Sequence, residues 1–173
     1  MEHKFIPYQQ KKLSKADLLY KSESFYQLLS ERRSVREYSE EMIDFSVIEN
    51  IIKTAGTAPS GAHKQPWTFC VVSNPALKKK IRAAAEEEEK KSYGGRMSDR
   101  WIKDLEPLGT SWEKPFIEKA PYIIVAFKRV YEMVDGEKQN NYYVNESIGI
   151  ACGMLISAIH NAGLVTLTHT PSP

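Results

Sequence analysis

The stretch Thr57-Ala58-Pro59-Ser60-Gly61-Ala62-His63-Lys64-Gln65-Pro66-Trp67 limits what this chain can fold into more than any other. Pro59 and Pro66 preset φ, and Gly61 permits a positive φ or a close backbone approach, so the path of the segment is largely fixed. It joins two elements of opposite kind. Before it, Val47, Ile48, Ile51, Ile52 and Ala55 form a wide apolar stripe at helical spacing, with Asp44 as the cap and Gly56 as the expected stop. After it, Trp67 to Val72 is a nearly continuous apolar run of strand length, the pattern of a strand covered on both faces. A stiff loop of small residues between a helix end and a strand start is either a tight surface connection or the floor of a site.

The rest of the chain reads as mixed helix and strand. Residues 1–21 are polar and proline-marked, an arm with a short helix near Ser14 to Tyr20, suited to lie on another surface such as a partner subunit. Ser22 to Glu31 carries Phe25, Leu28 and Leu29 at helical spacing, with Ser22 or Ser24 as cap. Asn74-Pro75 starts a further helix, a cap followed by proline at the first helical position. It runs through Leu77, Ile81 and Ala85 into Glu86-Glu87-Glu88-Glu89 and stops at Gly94-Gly95. Ile81, Ala85, Glu89 and Tyr93 fall on one face, which turns Glu89 inward and leaves the other three glutamates to solvent. Arg96 to Lys114 has no clear period and reads as a helix fragment and loop, a mobile lid over about 86–114, since long aperiodic stretches inside a domain are usually functional.

Phe116 to Lys119 is a helical turn, Pro121 to Phe127 a second buried strand, and Asp135-Gly136 a turn. Tyr142 to Asn161 is the clearest helix, with a core stripe through Ile148, Ala151, Cys152, Leu155 and Ile159. Gly149, Gly153 and Ser157 form a small-residue line on it, which implies close approach by a second helix or a flat ligand, because each interior glycine costs about 0.5–1 kcal/mol relative to alanine. Gly163 ends that helix, and Leu164 to Thr168 reads as a third strand.

Composition excludes several classes. At 173 residues the chain has the length of one domain, 1–173, able to bury a core without staples. The net charge of +2 gives no electrostatic footprint for nucleic acid. Cys70 and Cys152 sit in apolar runs and read as buried thiols of a reducing compartment; no metal spacing joins them to His3, His63, His160 or His169. An apolar leader and a membrane-spanning run are absent, so the expected address is the cytoplasm. There is no nucleophile elbow, P-loop or dinucleotide fingerprint. Ser60 and His63 lie three apart in a proline-bound loop, poor geometry for a hydrolase dyad.

Arg32-Arg33-Ser34-Val35-Arg36 remains. Three arginines in five residues either end a helix in solvent or, in an extended segment, aim Arg32, Ser34 and Arg36 one way, as an anionic group requires. Together with the rigid loop, the glycine-faced helix and a strand ending in threonines, this suits a flat, anionic redox cofactor, with Arg32, Arg33 and Arg36 at its phosphate, the backbone of Pro59 to Gly61 at a ring and the Thr168 hydroxyl at a ring nitrogen.

Arg-Arg-Ser-Val-Arg at 32–36 and Ala-Pro-Ser-Gly-Ala-His-x-x-Pro-Trp at 58–67 resemble the flavin nitroreductase superfamily. Glu86 to Glu89 with Tyr93, then Arg96-Met97, Trp101, Trp112, Lys114, Ile150 to Gly153 and Asn161 to Thr166 resemble its iodotyrosine deiodinase branch, in a soluble, microbial form. The resemblance implies an α+β, nitroreductase-like fold with a central mixed β-sheet flanked by helices, and an FMN-dependent homodimer with the flavin between subunits. It implies that Arg32, Arg33, Ser34, Arg36, Pro59, Ser60, Gly61, Thr168 and Thr170 contact the flavin. It implies reductive dehalogenation of a halotyrosine held by Glu89 at its ammonium, by Lys114 and Tyr93 at its carboxylate, and by the Ala62 N–H at its phenolate. Lid closure would bring Thr168 to flavin N5 and favour one-electron steps. The family continues beyond the position of Pro173 by roughly a strand and an arm, so a C-terminal part of the fold is expected to be missing here. A broader flavin reductase acting on nitroaromatics, and a truncated domain without catalysis, remain the alternatives.

Overall fold

The computed structural model describes residues 6–170. The chain falls into two compact units, one ending at Arg32 and one beginning at Arg33. The first unit is built on one helix, α1 (Lys15–Ser30), capped by Ser14, whose hydroxyl accepts from the Asp17 N–H at 3.1 Å. The sequence divides this region into an arm and a separate helix. The structure joins them, because nothing between Tyr20 and Ser24 breaks a helix and the Ser22 hydroxyl donates to the Leu19 carbonyl at 2.8 Å rather than capping a new start. Residues 1–5 of the expected arm lie outside the described residues.

The second unit opens on the extended segment around Ser34. It pairs through a single parallel bridge with Thr166, the Val35 N–H donating to the Thr166 carbonyl at 3.2 Å. Helix α2 (Phe45–Gly56) begins at Asp44, whose carboxylate accepts from the Ser46 N–H at 2.8 Å, and buries Ile48, Ile51 and Ala55. Gly56 is its last helical residue and not its stop; Thr57 is the C-cap, its hydroxyl donating to the Thr54 carbonyl. After the loop comes strand β1 (Trp67–Val72). Helix α3 (Pro75–Lys91) starts at Asn74, whose side chain accepts from the Leu77 N–H at 3.0 Å, and it ends in a wide turn, Ser92–Arg96, with Gly95 at φ 140°. Helix α4 (Asp99–Leu105), a tight turn at Glu106–Leu108 and the short helix α5 (Phe116–Lys119) follow.

Strand β2 (Ile123–Lys128) pairs antiparallel with β1, Trp67 opposite Lys128 and Val72 opposite Ile123. Strands β3 (Tyr131–Val134) and β4 (Glu137–Asn140) form a hairpin through Asp135 at φ 52° and Gly136 at φ 83°. Two successive residues at positive φ match the twist of a two-residue hairpin loop, so the Asp-Gly turn marks a whole hairpin that the weakly patterned flanks conceal. Helix α6 (Val144–Asn161) completes the unit. Its Leu155 and Ile159 pack on Ile51 and Ala55 of α2, with Phe69 and Ile124 from the strands at the edge of that cluster. A second cluster, Ala58, Trp67 and Ala151, anchors both ends of the 57–67 loop to α6.

Three expectations about the strands need correction. The first strand is covered on one face: Trp67 is buried while Thr68 and Cys70 are exposed, so Cys70 is no core thiol. The continuous apolar run arises because one face meets α2 and α6 and the other happens to carry small residues. Leu164 to Thr168 forms only the bridge at Thr166, because its main-chain partner is the segment at Ser34 and not the edge of β1 or β2. The described residues therefore hold two separate two-stranded sheets rather than a central mixed sheet. The α+β class stands.

Candidate active site

A cleft of about 960 Å³ opens where the end of α3, the turns after it, the approach to α5 and the segment 167–170 converge. Helical spacing puts Glu89 one turn beyond buried Ala85, so the face that packs the helix at its middle delivers a carboxylate to the cleft at its end. Lys114 reaches the same point from the loop before α5. Its Nζ lies 3.3 Å from Glu89 Oε2, and both side chains are nearly shut off from solvent, at 8% and 12% exposure. Lys114 Nζ also donates to the Ser111 carbonyl and sits 5.8 Å from the centre of the Tyr93 ring. The Tyr93 hydroxyl shares a 3.0 Å hydrogen bond with Thr110 Oγ1. A buried ion pair of this kind keeps its charges only while each has its partner or a substitute of the same sign, since removing one partner typically costs about 3–5 kcal/mol.

Arg36, Thr168 and Thr170 line the same cleft. The parallel bridge explains this: with Ser34 opposite Thr166, Arg36 and Thr168 are carried forward side by side, and the Tyr38 hydroxyl donates to the Val35 carbonyl at 2.7 Å to fold the segment back. Burial raises the Tyr38 phenol above its ordinary value, with the Arg36 charge acting in the opposite direction.

Not every expected site residue is in the cleft. Arg32 closes the first unit and Arg33 and Ser34 precede the cleft on the extended segment; none of the three lines it. Pro59, Ser60, Gly61 and Ala62 stand elsewhere, against the start of α6. There the Ser60 hydroxyl accepts from the Gln65 N–H at 2.8 Å, the Gly61 N–H points at Ser147 Oγ at 3.4 Å, and Ala62 is exposed. The loop is bent more tightly than its prolines alone dictate: Ala62, His63 and Gln65 hold φ of 49°, 54° and 45°.

Two groups were not legible in the sequence, one that ties α3 to the approach to α5 and one in the cleft itself. Glu86 turns inward with Glu89, against the expectation that three of the four glutamates are solvated. Its carboxylate receives Arg82 Nε at 2.7 Å and the Lys114 N–H at 2.7 Å, and so ties α3 to the approach to α5. Burial pushes its pKa up, but these hydrogen bonds and the Arg82 and Lys90 charges hold it below the usual carboxylate value. His169 is the second. Alternation would turn it away from Thr168 and Thr170, yet all three line the cleft because the segment is not a regular strand. Its Nε2 lies 3.8 Å from Glu89 Oε1, and its ring stands edge-on to Phe116 with centroids 6.1 Å apart. Burial lowers its pKa below the ordinary imidazole value; Glu89 pulls it back up and Lys114 presses it down. His169 Nε2 and Ser92 Oγ, both on the cleft wall, are buried polar atoms without a hydrogen-bond partner. Such atoms are rare in native proteins and mark where a ligand or ordered water completes the structure.

Among the described residues no group of three or more His, Cys, Asp or Glu side chains is placed to hold a metal ion, and no helix is long and apolar enough to cross a membrane.

An α+β unit with an extended arginine segment running beside a threonine segment at the edge of a charged cleft has a recognisable class. The nitroreductase family model matches residues 29–169, and the chain belongs to the nitroreductase family. Within that family its likeness is to the iodotyrosine deiodinases. It is 59% identical over 170 residues to the iodotyrosine deiodinase of Haliscomenobacter hydrossis, a match covering 98% of this chain and 77% of that protein. It is 49% identical over 168 residues to the Hydra vulgaris enzyme and 48% over 172 residues to human iodotyrosine deiodinase 1, covering 62% and 59% of those proteins. The chain thus spans less than two thirds of these animal relatives. A crystal structure of oxidised iodotyrosine deiodinase bound to FMN and 3-iodo-L-tyrosine superposes with a TM-score of 0.76 at 32% identity, over 86% of this chain and 76% of that one. An FMN-dependent nitroreductase from Clostridium difficile, at TM-score 0.58 and 22% identity, shares the fold alone.

Proposed function

We propose that this chain carries an FMN-dependent oxidoreductase that removes iodide from iodotyrosine. The observation that carries this reading is the meeting, in one cleft, of Glu89, Lys114 and Tyr93 with Arg36 and Thr168. An amino-acid zwitterion needs both charge signs within a few ångströms, and the Glu89–Lys114 pair supplies them. A zwitterion entering between the two exchanges one buried ion pair for two: Glu89 accepts from the ligand ammonium, and Lys114 donates to its carboxylate. Tyr93 leaves Thr110 and adds a second donor to that carboxylate. Charge-assisted hydrogen bonds contribute about 1.5–3 kcal/mol each, enough to close residues 86–114 as a lid and keep water out.

The residues present fit the cofactor. Arg36 offers donors only, and the Thr168 and Thr170 hydroxyls on the same wall complete a set suited to the acceptor groups of FMN. FMN, once bound and reduced, would supply two electrons; with one proton these replace the carbon–iodine bond by a carbon–hydrogen bond and release iodide. Thr168, on the cleft wall, would hydrogen-bond the cofactor ring. Arg32, Arg33 and Ser34 lead into Arg36 and serve the phosphate. Pro59 to Gly61 serve the ring, and the Ala62 N–H meets the phenolate. That this loop lies apart from the cleft within one chain supports a homodimer with flavin at the subunit interface, each cleft completed by the partner's loop. A cytoplasmic address goes with the same reading, since Cys70 and Cys152 are both free thiols.

Anaerobic turnover of iodotyrosine by FMN-loaded protein, with tyrosine and iodide both quantified, tests this. Glu89→Gln should lower kcat/KM for iodotyrosine by about 10–100-fold, the equivalent of one charge-assisted hydrogen bond. It should affect a nitroaromatic acceptor, which has no ammonium, far less. Equal loss on both would favour a broader flavin reductase, and a chain that takes up no FMN would favour a non-catalytic domain.

A further inference from the structure

Before a ligand parts the Glu89–Lys114 pair, one oxygen of Glu89 is engaged and the other is not. Its Oε2 is taken by Lys114 at 3.3 Å, and its Oε1 faces His169 Nε2 at 3.8 Å. That second distance is short enough for an ion pair and too long for a hydrogen bond. His169 Nε2 is buried and has no hydrogen-bond partner, so the ring is held beside Glu89 without being satisfied by it. Among the described residues, the charges that act on the imidazole are Glu89 from α3 and Lys114 from the loop before α5, and the uncharged Phe116 ring of α5 stands edge-on to it.

We propose that His169 is a specificity-determining residue of the cleft, which when neutral accepts a hydrogen bond from the same ligand ammonium that binds Glu89 Oε1, and when protonated pairs with Glu89 and excludes that ammonium. The inference rests on the reading of Glu89 as the ammonium site. Two acceptors 3.8 Å apart are within reach of one ammonium, whose three N–H bonds diverge and whose hydrogen bonds run about 2.9 Å. With its proton on Nδ1, the imidazole presents Nε2 as such an acceptor. A second proton makes both ring nitrogens donors, and the cation then sits where the ligand cation must go. Burial and Lys114 both disfavour that cation, which keeps the site open at neutral pH. The selectivity follows: ligands with a free ammonium feel the state of His169, and des-amino ligands of the same shape do not.

The test is calorimetric binding of iodotyrosine and of its des-amino propionate analogue to the FMN-loaded full chain between pH 8 and 5.5, for the native protein and His169→Gln. Glutamine can accept from the ammonium but cannot take up a proton. The phenol of the ligand titrates alike in every arm, so the ratio of native to variant Kd isolates the histidine. For iodotyrosine that ratio should rise about tenfold per pH unit once His169 protonates, and for the analogue it should stay flat. A flat ratio for both ligands across the pH range in which the His169 ring proton titrates overturns the role of His169 while leaving the proposed function standing. Failure of every variant to bind iodotyrosine at pH 8 overturns the proposed function and this inference with it. A second measurement needs no ligand: the His169 ring proton, assigned among four histidines by its loss in His169→Gln, should titrate at lower pH in Glu89→Gln. An unchanged titration would sink the coupling on which the inference stands.

Discussion

Gly61 has no room for a side chain, since an added Cβ would lie 2.8 Å from Tyr143 Cδ2 and 3.1 Å from the Tyr142 carbonyl oxygen. The constraint is close approach and not conformation, for the residues at positive φ are its neighbours Ala62, His63 and Gln65. These are held from outside: Lys64 pairs with Glu132 on β3, Arg129 donates to the Gln65 carbonyl at 2.9 Å, and the Arg129 N–H donates to the Pro66 carbonyl at 2.9 Å. Gly61→Ala should therefore destabilise the protein by about 1–3 kcal/mol, the usual cost of overpacking. Adding Tyr143→Ala should recover most of that loss, because the ring is the nearer obstacle; equal urea midpoints for the single and double variants would refute the packing account. The sequence marks Gly61 as needing either close approach or a positive φ, and the structure selects the first. The second passes to residues with a Cβ, which no local pattern announces because the force holding them comes from a hairpin about 65 residues further along the chain.

Helix α3 shows what periodicity reveals about an element and what it conceals. Its start at Asn74-Pro75 and the inward turn of Glu89 follow from capping and spacing alone. Glu86 does not, because its position three residues before Glu89 places it on the flank of the same face, and only the approach of Lys114 and Arg82 decides whether that flank is wet. The same holds for 164–168: the residue types are those of a strand, but a strand exists only where a neighbour supplies the ladder, and here the neighbour touches at Thr166 alone. The inward turn of Glu86 has a consequence for acid stability. Its pKa is held below the usual value in the folded state, so its contribution is present above the unfolded value, about 4.3, and is lost as pH falls through the folded one. Glu86→Gln should cost about 1 kcal/mol at pH 7, a charge-assisted contribution screened from the solvent side. The deficit should shrink as pH drops below about 4. Parallel denaturation curves at pH 7 and pH 3.5 measure it, and a deficit equal at both would contradict a role for the charge.

At the scale of the whole molecule, α6 carries the open question. Gly149 and Gly153 stand in its interior, and nothing among the described residues lies within 4 Å of where a Cβ on either would be. In an isolated chain such glycines are a liability of about 0.5–1 kcal/mol each relative to alanine, with no packing to offset it. The proposed homodimer with flavin at its interface would give them a use, since a partner helix or the cofactor can approach only where side chains are missing. The two accounts predict opposite signs. If nothing docks there, Gly153→Ala should raise stability by about 0.5–1 kcal/mol with no effect on FMN. If the interface is there, Gly153→Leu should lower the sedimentation coefficient from dimer to monomer and release FMN together, because the partner's Pro59 to Ala62 loop would leave with the partner. Loss of FMN from a protein that still sediments as a dimer would place the flavin, and not the partner helix, against the glycine row. A variant that retains both would remove α6 from the interface and leave the 57–67 loop without a route to the cleft.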